Sequence, residues 1–438
     1  MLEGIQLSGI FYIFVLTNQK YQRYFNKLTT NMKKLLLIFA FAGLCFSTAQ
    51  AQEPPKKIPF SYRTCNEITN RRTEIILPQV KGFNCYKADL HIHTSYSDGA
   101  VTPAGRVNEA WYDGLDIIAI TDHLESHGGV KKFFKVVAPY NKSKKPTRYV
   151  APGSTKMPAD SIDPGVKIDF NAIHQEAVRT NNSKGYNLLL IKGCEMARNN
   201  EKLGHFNALF VNDLNSIYNF DIKESFKNVK KQGGIIIHNH PGNIESRNPE
   251  WHAEVRKKGL IDGYEVANGF TFYPHILNRC VEDKMIMMGN TDSHGFTAHR
   301  YGTTGFFRTM TIVLAKELTE KAVKEALLKR RTIVYSGGDL MGEEKWLNEF
   351  LNASINCKLI KEDLEKGERT FLFTNMSSIA YKLRRGKTVY TLEPFKPITL
   401  SWGKNKKTGE MQYPRFRVDN MWIAGFDHPY FDIDIDRK

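Results

Sequence analysis

Four short clusters of histidine and carboxylate side chains in this 438-residue chain have the types and spacing of metal ligands. The first lies in Lys87-Ala-Asp-Leu-His-Ile-His-Thr-Ser-Tyr-Ser-Asp-Gly99, where His91 and His93 stand two apart. Alternate residues of a strand share a face, so both imidazoles point the same way at the strand's end and can grip one ion. Thr121-Asp122-His123 follows the apolar run 115–120, His238-Asn239-His240-Pro241 follows 234–237, and Asn290-Thr-Asp-Ser-His294 follows 285–289. Imidazole and carboxylate donors suit zinc, manganese and iron. One such cluster is weak evidence, but four at the ends of apolar runs describe a multi-metal hydrolase site.

The elements that must position these clusters alternate. Strand 88–91 leads to helix 103–114, with Thr102 as its cap and Pro103 at its first position. Strand 115–121 follows, then a Pro- and Lys-rich stretch at 128–168. So long a loop inside a domain is functional or disordered, and its departure point beside Thr121-Asp122-His123 suggests a lid or substrate wall. The alternation resumes with helix 169–180 and strands 187–193 and 205–211. Helix 222–232, strand 234–238, helix 249–258 and strand 263–266 come next. Helix 273–283, strand 285–289, strand 309–313, helix 319–329 and strand 332–335 complete the unit. Repeated strand–helix pairs imply a parallel sheet. Ligands at successive strand ends favour a closed α/β barrel with its chemistry at the strands' C-terminal ends. Beyond Gly337-Gly338 short aromatic strands at 371–374, 379–383, 388–392, 398–402, 415–418, 422–425 and 430–435 read as a small antiparallel sandwich. The expected organisation is therefore residues 52–85 as a lead-in, 86–338 as the metal-hydrolase domain and 339–438 as a C-terminal β-domain.

Residues 32–51 combine a basic start, an apolar core and the small-x-small end Ala49-Gln-Ala51, the pattern of a secretory signal peptide cut before Gln52. The apolar run is shorter than the roughly 20 residues of a membrane span. Residues 1–31 read as an upstream start. The chain carries a net charge of +16. Its first 51 residues contribute Lys20, Arg23, Lys27, Lys33 and Lys34 against Glu3, so the mature chain keeps +12. That balance favours anionic partners such as a phosphate ester, although the lysines are scattered. Five cysteines remain, with no CxxC spacing, which excludes zinc-finger and thioredoxin readings. Export permits disulfides, and Cys65 and Cys85 are a candidate pair. No P-loop, Gly-x-Ser-x-Gly or dinucleotide fingerprint occurs.

His-x-His-Thr-x-x-Ser-Asp-Gly, Thr-Asp-His, a mid-chain Glu, His-Pro and Asp-x-His, in that order, resemble the polymerase and histidinol phosphatase (PHP) family. The resemblance spans about residues 86–336. It implies a distorted seven-stranded (β/α) barrel, two or three divalent ions (manganese, iron or zinc) and hydrolysis of phosphate esters by a metal-activated hydroxide. Carried over by position, His91, His93 and Asp292 hold a first metal, and Glu195, in Lys192-Gly-Cys-Glu195, bridges it to a second. His205 and His240 complete the second site, and Asp98, His123 and His294 bind the third. Glu195, His123 and His240 are then the catalytic ligands. Arg308, Arg300 and His299, which follow Asp-x-His, are candidates for binding phosphoryl oxygens, with Arg308 placed among the catalytic residues and ordinary surface charge the alternative for each. Asp122 orients a ligand rather than binding metal itself. His238, two residues before His240 and so expected on the same face, is open as a structural residue, a substrate contact or a competing ligand. His127, His174, His252, His275 and His428 are read as structural.

The sequence thus points to an exported phosphoesterase acting on a small organic phosphate, and the long loop and appended β-domain lean it toward diesters. Export argues against the cytoplasmic tasks of the family. An amide- or lactone-cleaving hydrolase is the alternative, set back by a bridging Glu where such enzymes use a carboxylated Lys or a single Asp. A non-catalytic binder would normally lack ligands, and all nine positions are filled. A nuclease would need a basic groove with stacking aromatics, which scattered lysines do not establish. Oligomeric state is not legible.

Overall fold

β1 (Asn84–Ile92) is the strand around which the sheet is built. The computed structural model describes residues 71–124, 169–197, 203–219 and 221–436. The leader, the lead-in up to residue 70 with Cys65, and the 128–168 insertion lie outside the described residues. On one side of β1, β2 (Ile117–Ile120) and β3 (Leu189–Ala197) pair in parallel. β4 (His205–Leu209) then runs antiparallel to both β3 and β5 (Ile235–Asn239). β6 (Gly263–Asn268) is parallel to β5 and carries the short hairpin strand β7 (Thr271–Phe272). β8 (Ile286–Asn290) is parallel to β6. On the other side of β1, β9 (Met310–Ala315), β10 (Thr332–Ser336) and β11 (Asp339–Gly342) follow in antiparallel order.

The expected wholly parallel sheet is therefore corrected at β4, β9 and β11. For β4 the reason is chain length, since residues 198–204 are too few for a parallel crossover, which takes about a dozen. The barrel closes between β8 and β1/β9 through side chains. Thr311 Oγ1 accepts from Gly289 N and donates to Gly289 O, both at 2.9 Å, and Asn290 Oδ1 accepts from Leu90 N at 2.8 Å.

Alternation along these strands separates two apolar layers. Ala88, Leu90, Ile117, Ala119, Ile191, Ile235, Ile237 and Met288 fill the barrel interior. Val323, Ala326 and Leu327 of helix Glu320–Leu328 plug the end away from the ligand clusters. The outward residues, such as Ile118, Phe206 and Ile236, pack under the helices. Both features fit the expected α/β barrel.

After β11 the amphipathic helix Glu344–Ser354 buries Leu347, Phe350, Leu351 and Ser354 on one face; the sequence reading did not include it. β12 (Ile355–Asp363), also not foreseen, pairs with β13 (Glu368–Asn375). β14 (Tyr381–Arg385), β15 (Thr388–Leu392), β16 (Pro397–Gly403), β17 (Arg415–Val418), β18 (Met421–Trp422) and β19 (Tyr430–Asp432) complete the chain. They form sheets β12-β13-β16 and β15-β14-β17-β19. Phe373 and Trp402 of the first sheet meet Phe416 of the second edge-on, at 5.7 and 5.5 Å. That is the expected all-β sandwich. β18 pairs in parallel with β11, so the barrel sheet runs on past the Gly337-Gly338 turn into the β-region.

The plug makes a prediction about stability. Leu327 is fully buried, and Leu327→Ala should lower unfolding free energy by about 2–5 kcal/mol, read from urea titration. Because the plug lies at the opposite end of the barrel, divalent-ion uptake by the folded variant should not change.

Candidate metal centre

Each ligand cluster sits where a strand leaves the barrel, and local irregularities aim it. β1 is bulged against β2: Asp89 faces Ile118 and Ile92 faces Ile120, so Leu90 and His91 together oppose Ala119. A bulge re-aims side chains, and here it turns His91 into the barrel mouth beside His93. β6 is bulged likewise against β8 between Glu265 and Ala267. Asp292 (φ 52°) and His240 (φ 25°) hold left-handed backbone. For non-glycine residues this costs on the order of 1–3 kcal/mol and clusters at functional sites.

The structure brings all nine sequence-derived ligand candidates into one site. His91 Nε2, His93 Nε2 and Asp292 Oδ1 form a triangle with edges of 3.1, 3.1 and 3.2 Å. Glu195 lies at the centre with its side chain about 1% exposed. Its Oε1 is 3.5, 3.3 and 3.6 Å from His91, His205 and His240. Its Oε2 is 3.3 and 3.1 Å from His93 and His123. Asp98 gathers His93 Nδ1 (3.4 Å), His123 Nε2 (3.4 Å) and His294 Nε2 (3.3 Å). The donor atoms fall into four overlapping groups: His93/Asp98/His123/His294, His91/His93/Asp292, His91/Glu195/His240 and His123/Glu195/His205.

These residues fit divalent ions. A tetrahedral ion with donors at about 2.0–2.1 Å sets them roughly 3.3 Å apart, which is the spacing in the triangle. Glu195 Oε2 and Asp292 Oδ1 are buried with no hydrogen-bond donor, although buried carboxylate oxygens are normally satisfied. A neutral imidazole has one lone pair. His93 would thus serve the triangle through Nε2, leaving Nδ1–H for Asp98 and Ser97.

The electrostatics agree. Burial pushes the Glu195 carboxyl up, but His123, His91 and His205 around it hold it well below the carboxylate range. For His93 burial acts downward, and the Asp292 and Glu195 carboxylates outweigh it, raising the imidazole to about 10. His91 is likewise raised, against burial, by Asp292, Glu265 and Glu195. Asp98 is held low, again against burial, by His123 and His294. For His123 burial wins and the pKa falls to about 4. Glu195 and Asp98 are thus held in the ionised form that a metal ligand requires.

Several supporting residues were not singled out from the sequence. Glu265 is fully buried; its Oε1 is 2.8 Å from His91 Nδ1 and accepts from Asn290 at 2.9 Å. Its Oε2 accepts from His240 N at 2.7 Å and Asn268 at 2.9 Å. This carboxylate–histidine pair fixes the ring and raises its basicity. The available signal was an acid inside the otherwise apolar strand 263–266. Asn239 donates to Glu195 Oε1 at 2.6 Å. Asp122 acts one step away from the ligands that it is expected to orient: it accepts from Thr94 N (2.6 Å), Thr94 Oγ1 (2.5 Å) and Ser97 Oγ (2.5 Å), and Ser97 Oγ lies 3.4 Å from His93 Nδ1.

Two expectations are corrected. Arg308 does not face a substrate. It is buried, bonded to Asp89 and, at 3.1 Å, to Asp113, and Asp89 in turn accepts from Thr291 N and Oγ1 at 3.1 and 2.6 Å. It braces the loop before Asp292 from below. His238 does not share a face with His240, because β5 ends at Asn239 and the left-handed backbone of His240 reverses the alternation. His238 points outward, stacked on Phe206 at 4.5 Å and on His252 at 5.1 Å. Glu245 lies 3.8 Å from both of these histidines. It is already engaged by Tyr264 (2.7 Å), Arg256 (2.8 Å) and Arg279 (3.1 Å), whose cations supply its counter-charge.

A barrel with clustered His and carboxylate donors at its strand ends defines a metal-binding α/β-barrel protein. Residues 89–232 match the family described as the PHP domain. It is similar to a solved two-domain protein from Bacteroides vulgatus containing a predicted PHP-like metal-dependent phosphoesterase. That likeness has 29% identity and a TM-score of 0.67, over 83% of this chain and 98% of that one. A proposed metal-dependent phosphoesterase from Bifidobacterium adolescentis is 17% identical with a TM-score of 0.33, covering 56% of this chain and 96% of that one. No curated protein matches the chain.

Two substitutions separate the site from its surroundings. Glu265→Gln should weaken divalent-ion binding by about 10–100-fold, measured by equilibrium dialysis. His238→Gln should lower thermal stability and leave the number of bound ions unchanged; loss of an ion would return His238 to the ligand set.

Proposed function

We propose that this chain is an exported, metal-dependent phosphoesterase that uses two or three divalent ions, manganese, iron or zinc, to hydrolyse a small organic phosphate ester. The observation that carries the reading is Glu195, a buried carboxylate with five imidazoles at 3.1–3.6 Å from its two oxygens. Such a group shares its charge between adjacent cations, the arrangement of multi-metal phosphate chemistry. The description of the Bacteroides vulgatus structure supports the same reaction class.

When bound, the ions would polarise phosphoryl oxygens and activate water. The chain's residues hold and orient. In the proposed set, His91, His93, Asp98, His123, Glu195, His205, His240, Asp292 and His294 are the ligands. His91 and His93 are fully buried, whereas His205, His240 and His294 have 32%, 29% and 41% of their side chains exposed. Substrate therefore approaches from the side of these last three. Of the two arginines that the sequence offers for phosphoryl binding, Arg300 takes the role. It is exposed, and its Nη1 donates to Thr291 O at 3.1 Å, next to Asp292. Fixed donors around a site of charge development act mainly through electrostatics.

The preference for diesters and the export of the chain extend the proposal from the sequence. Among the described residues no helix is long and apolar enough to cross a membrane. Metal-stripped protein beginning at Gln52 should hydrolyse bis(p-nitrophenyl) phosphate faster than p-nitrophenyl phosphate once manganese, zinc or iron is restored. His91→Ala should abolish both rates. No turnover of either ester with ions bound would sink the phosphoesterase reading. Arg300→Ala should raise KM about tenfold, the low end of one charged hydrogen bond, with kcat little changed. N-terminal sequencing of the secreted protein should begin at Gln52.

A further inference from the structure

The ligand loops at the barrel mouth are tied down by a residue that none of the ligand motifs contains. Arg106, on helix Pro103–Tyr112, is 1% exposed and spends every guanidinium nitrogen inside the protein. Nε donates to His93 O at 2.8 Å, Nη2 to Ser293 O at 2.7 Å, and Nη1 to Gly295 O at 2.9 Å. Nη1 also pairs with Glu109 at 2.7 Å, and the other oxygen of Glu109 accepts from Thr297 N at 3.0 Å. These contacts bracket His294 on both sides and hold His93 by its own carbonyl. Ala100 N, from the loop that carries Asp98, donates to His294 O at 2.7 Å. The same loop folds so tightly on His93 that a Cβ on Gly99 would fall 2.6 Å from His93 O. None of the bonds of Arg106 reaches β3, β4 or β5, which supply Glu195, His205 and the residue before His240.

We propose that Arg106 is a positioning residue that selectively sets the ion site formed by Asp98, His123 and His294, with the His93 ring holding Asp98 through Nδ1 from outside that ligand set. The inference rests on the metal reading of the centre. A guanidinium has five donors in a rigid fork, so one side chain fixes three carbonyls from two separate loops at once. Without it, those loops keep their backbone contacts but lose the common anchor that holds the His93 and His294 rings on Asp98. A lysine keeps the charge and cannot reach three acceptors in that geometry.

The test is zinc titration of metal-stripped full-length protein, with bound zinc counted by mass spectrometry. Arg106→Lys should bind one ion fewer, or one ion at least tenfold more weakly, while the remaining ions bind as in the parent. Glu109→Gln, a milder change that loosens the same anchor, should weaken the same ion by less. The decisive comparison is a double-variant cycle. In a His294→Ala background Arg106→Lys should cause no further loss, whereas in a His205→Ala background its effect should persist in full. A purely structural role would move all ions alike, whatever the change in stability of the metal-free protein, and that result overturns the proposal. So does an Arg106→Lys protein with unchanged ion number and affinities. If the parent takes up no divalent ion, the metal reading fails and this inference fails with it.

Discussion

The interaction on which the rest of the structure depends is the burial of Glu195 among five imidazoles. An ionised carboxylate taken out of water costs several kcal/mol unless opposite charge stands beside it. Here the surrounding rings come from four different segments: the end of β1, the loop after β2, the start of β4 and the turn after β5 all converge on β3. The barrel is the device that makes such convergence possible, because its strands end in a ring around one point. The first requirement on the fold is therefore that these strand ends stay in register.

That register is maintained by features which look like defects when taken singly. The bulge in β1 breaks its ladder with β2, and the freed Leu90 and Ile92 amides turn to Asn290 Oδ1 and Thr121 Oγ1. The bulge in β6 frees Glu265 to bond His91 and the His240 amide together. Left-handed backbone at Asp292 and His240 places two donors where a regular strand would point them elsewhere. Beneath this layer, Arg106 and Arg308 are buried cations with every anionic or carbonyl partner internal. Removing one partner of such a network is more destabilising than the network's net contribution, so the mouth of the barrel is rigid by construction.

The β-region is bound to this barrel through the backbone. β11 continues the barrel sheet and receives β18 from the far end of the chain. Asn420 reinforces the junction by donating to Gly338 O and Ala380 O, both at 2.9 Å. Trp422 adds a bond to Asp339 at 2.8 Å and stacks on Phe426 at 4.7 Å. β18, which lies between β17 and β19 in the chain, thereby ties the sandwich to the barrel edge.

The sequence by itself brought the candidate ligands and the barrel into view, the strand-end clusters through local pattern and Glu195, His205 and Asp98 through the family resemblance. Apolar runs of strand length ending in His and Asp place donors at strand ends whatever the surrounding packing, and those runs mark most of the observed strands to within a few residues. What it could not determine were relations that depend on a third partner or on a backbone turn. Glu265 is one acid in an apolar strand until the fold sets it against His91. Arg308 and Arg300 are equivalent by spacing, and only packing buries one on Asp89 and leaves the other at the mouth. His238 and His240 are equivalent by period, and a single left-handed residue sends them to opposite sides of the sheet. Local periodicity is written in the chain; which side of a wall a residue meets, and which charge waits there, is fixed only when distant segments pack.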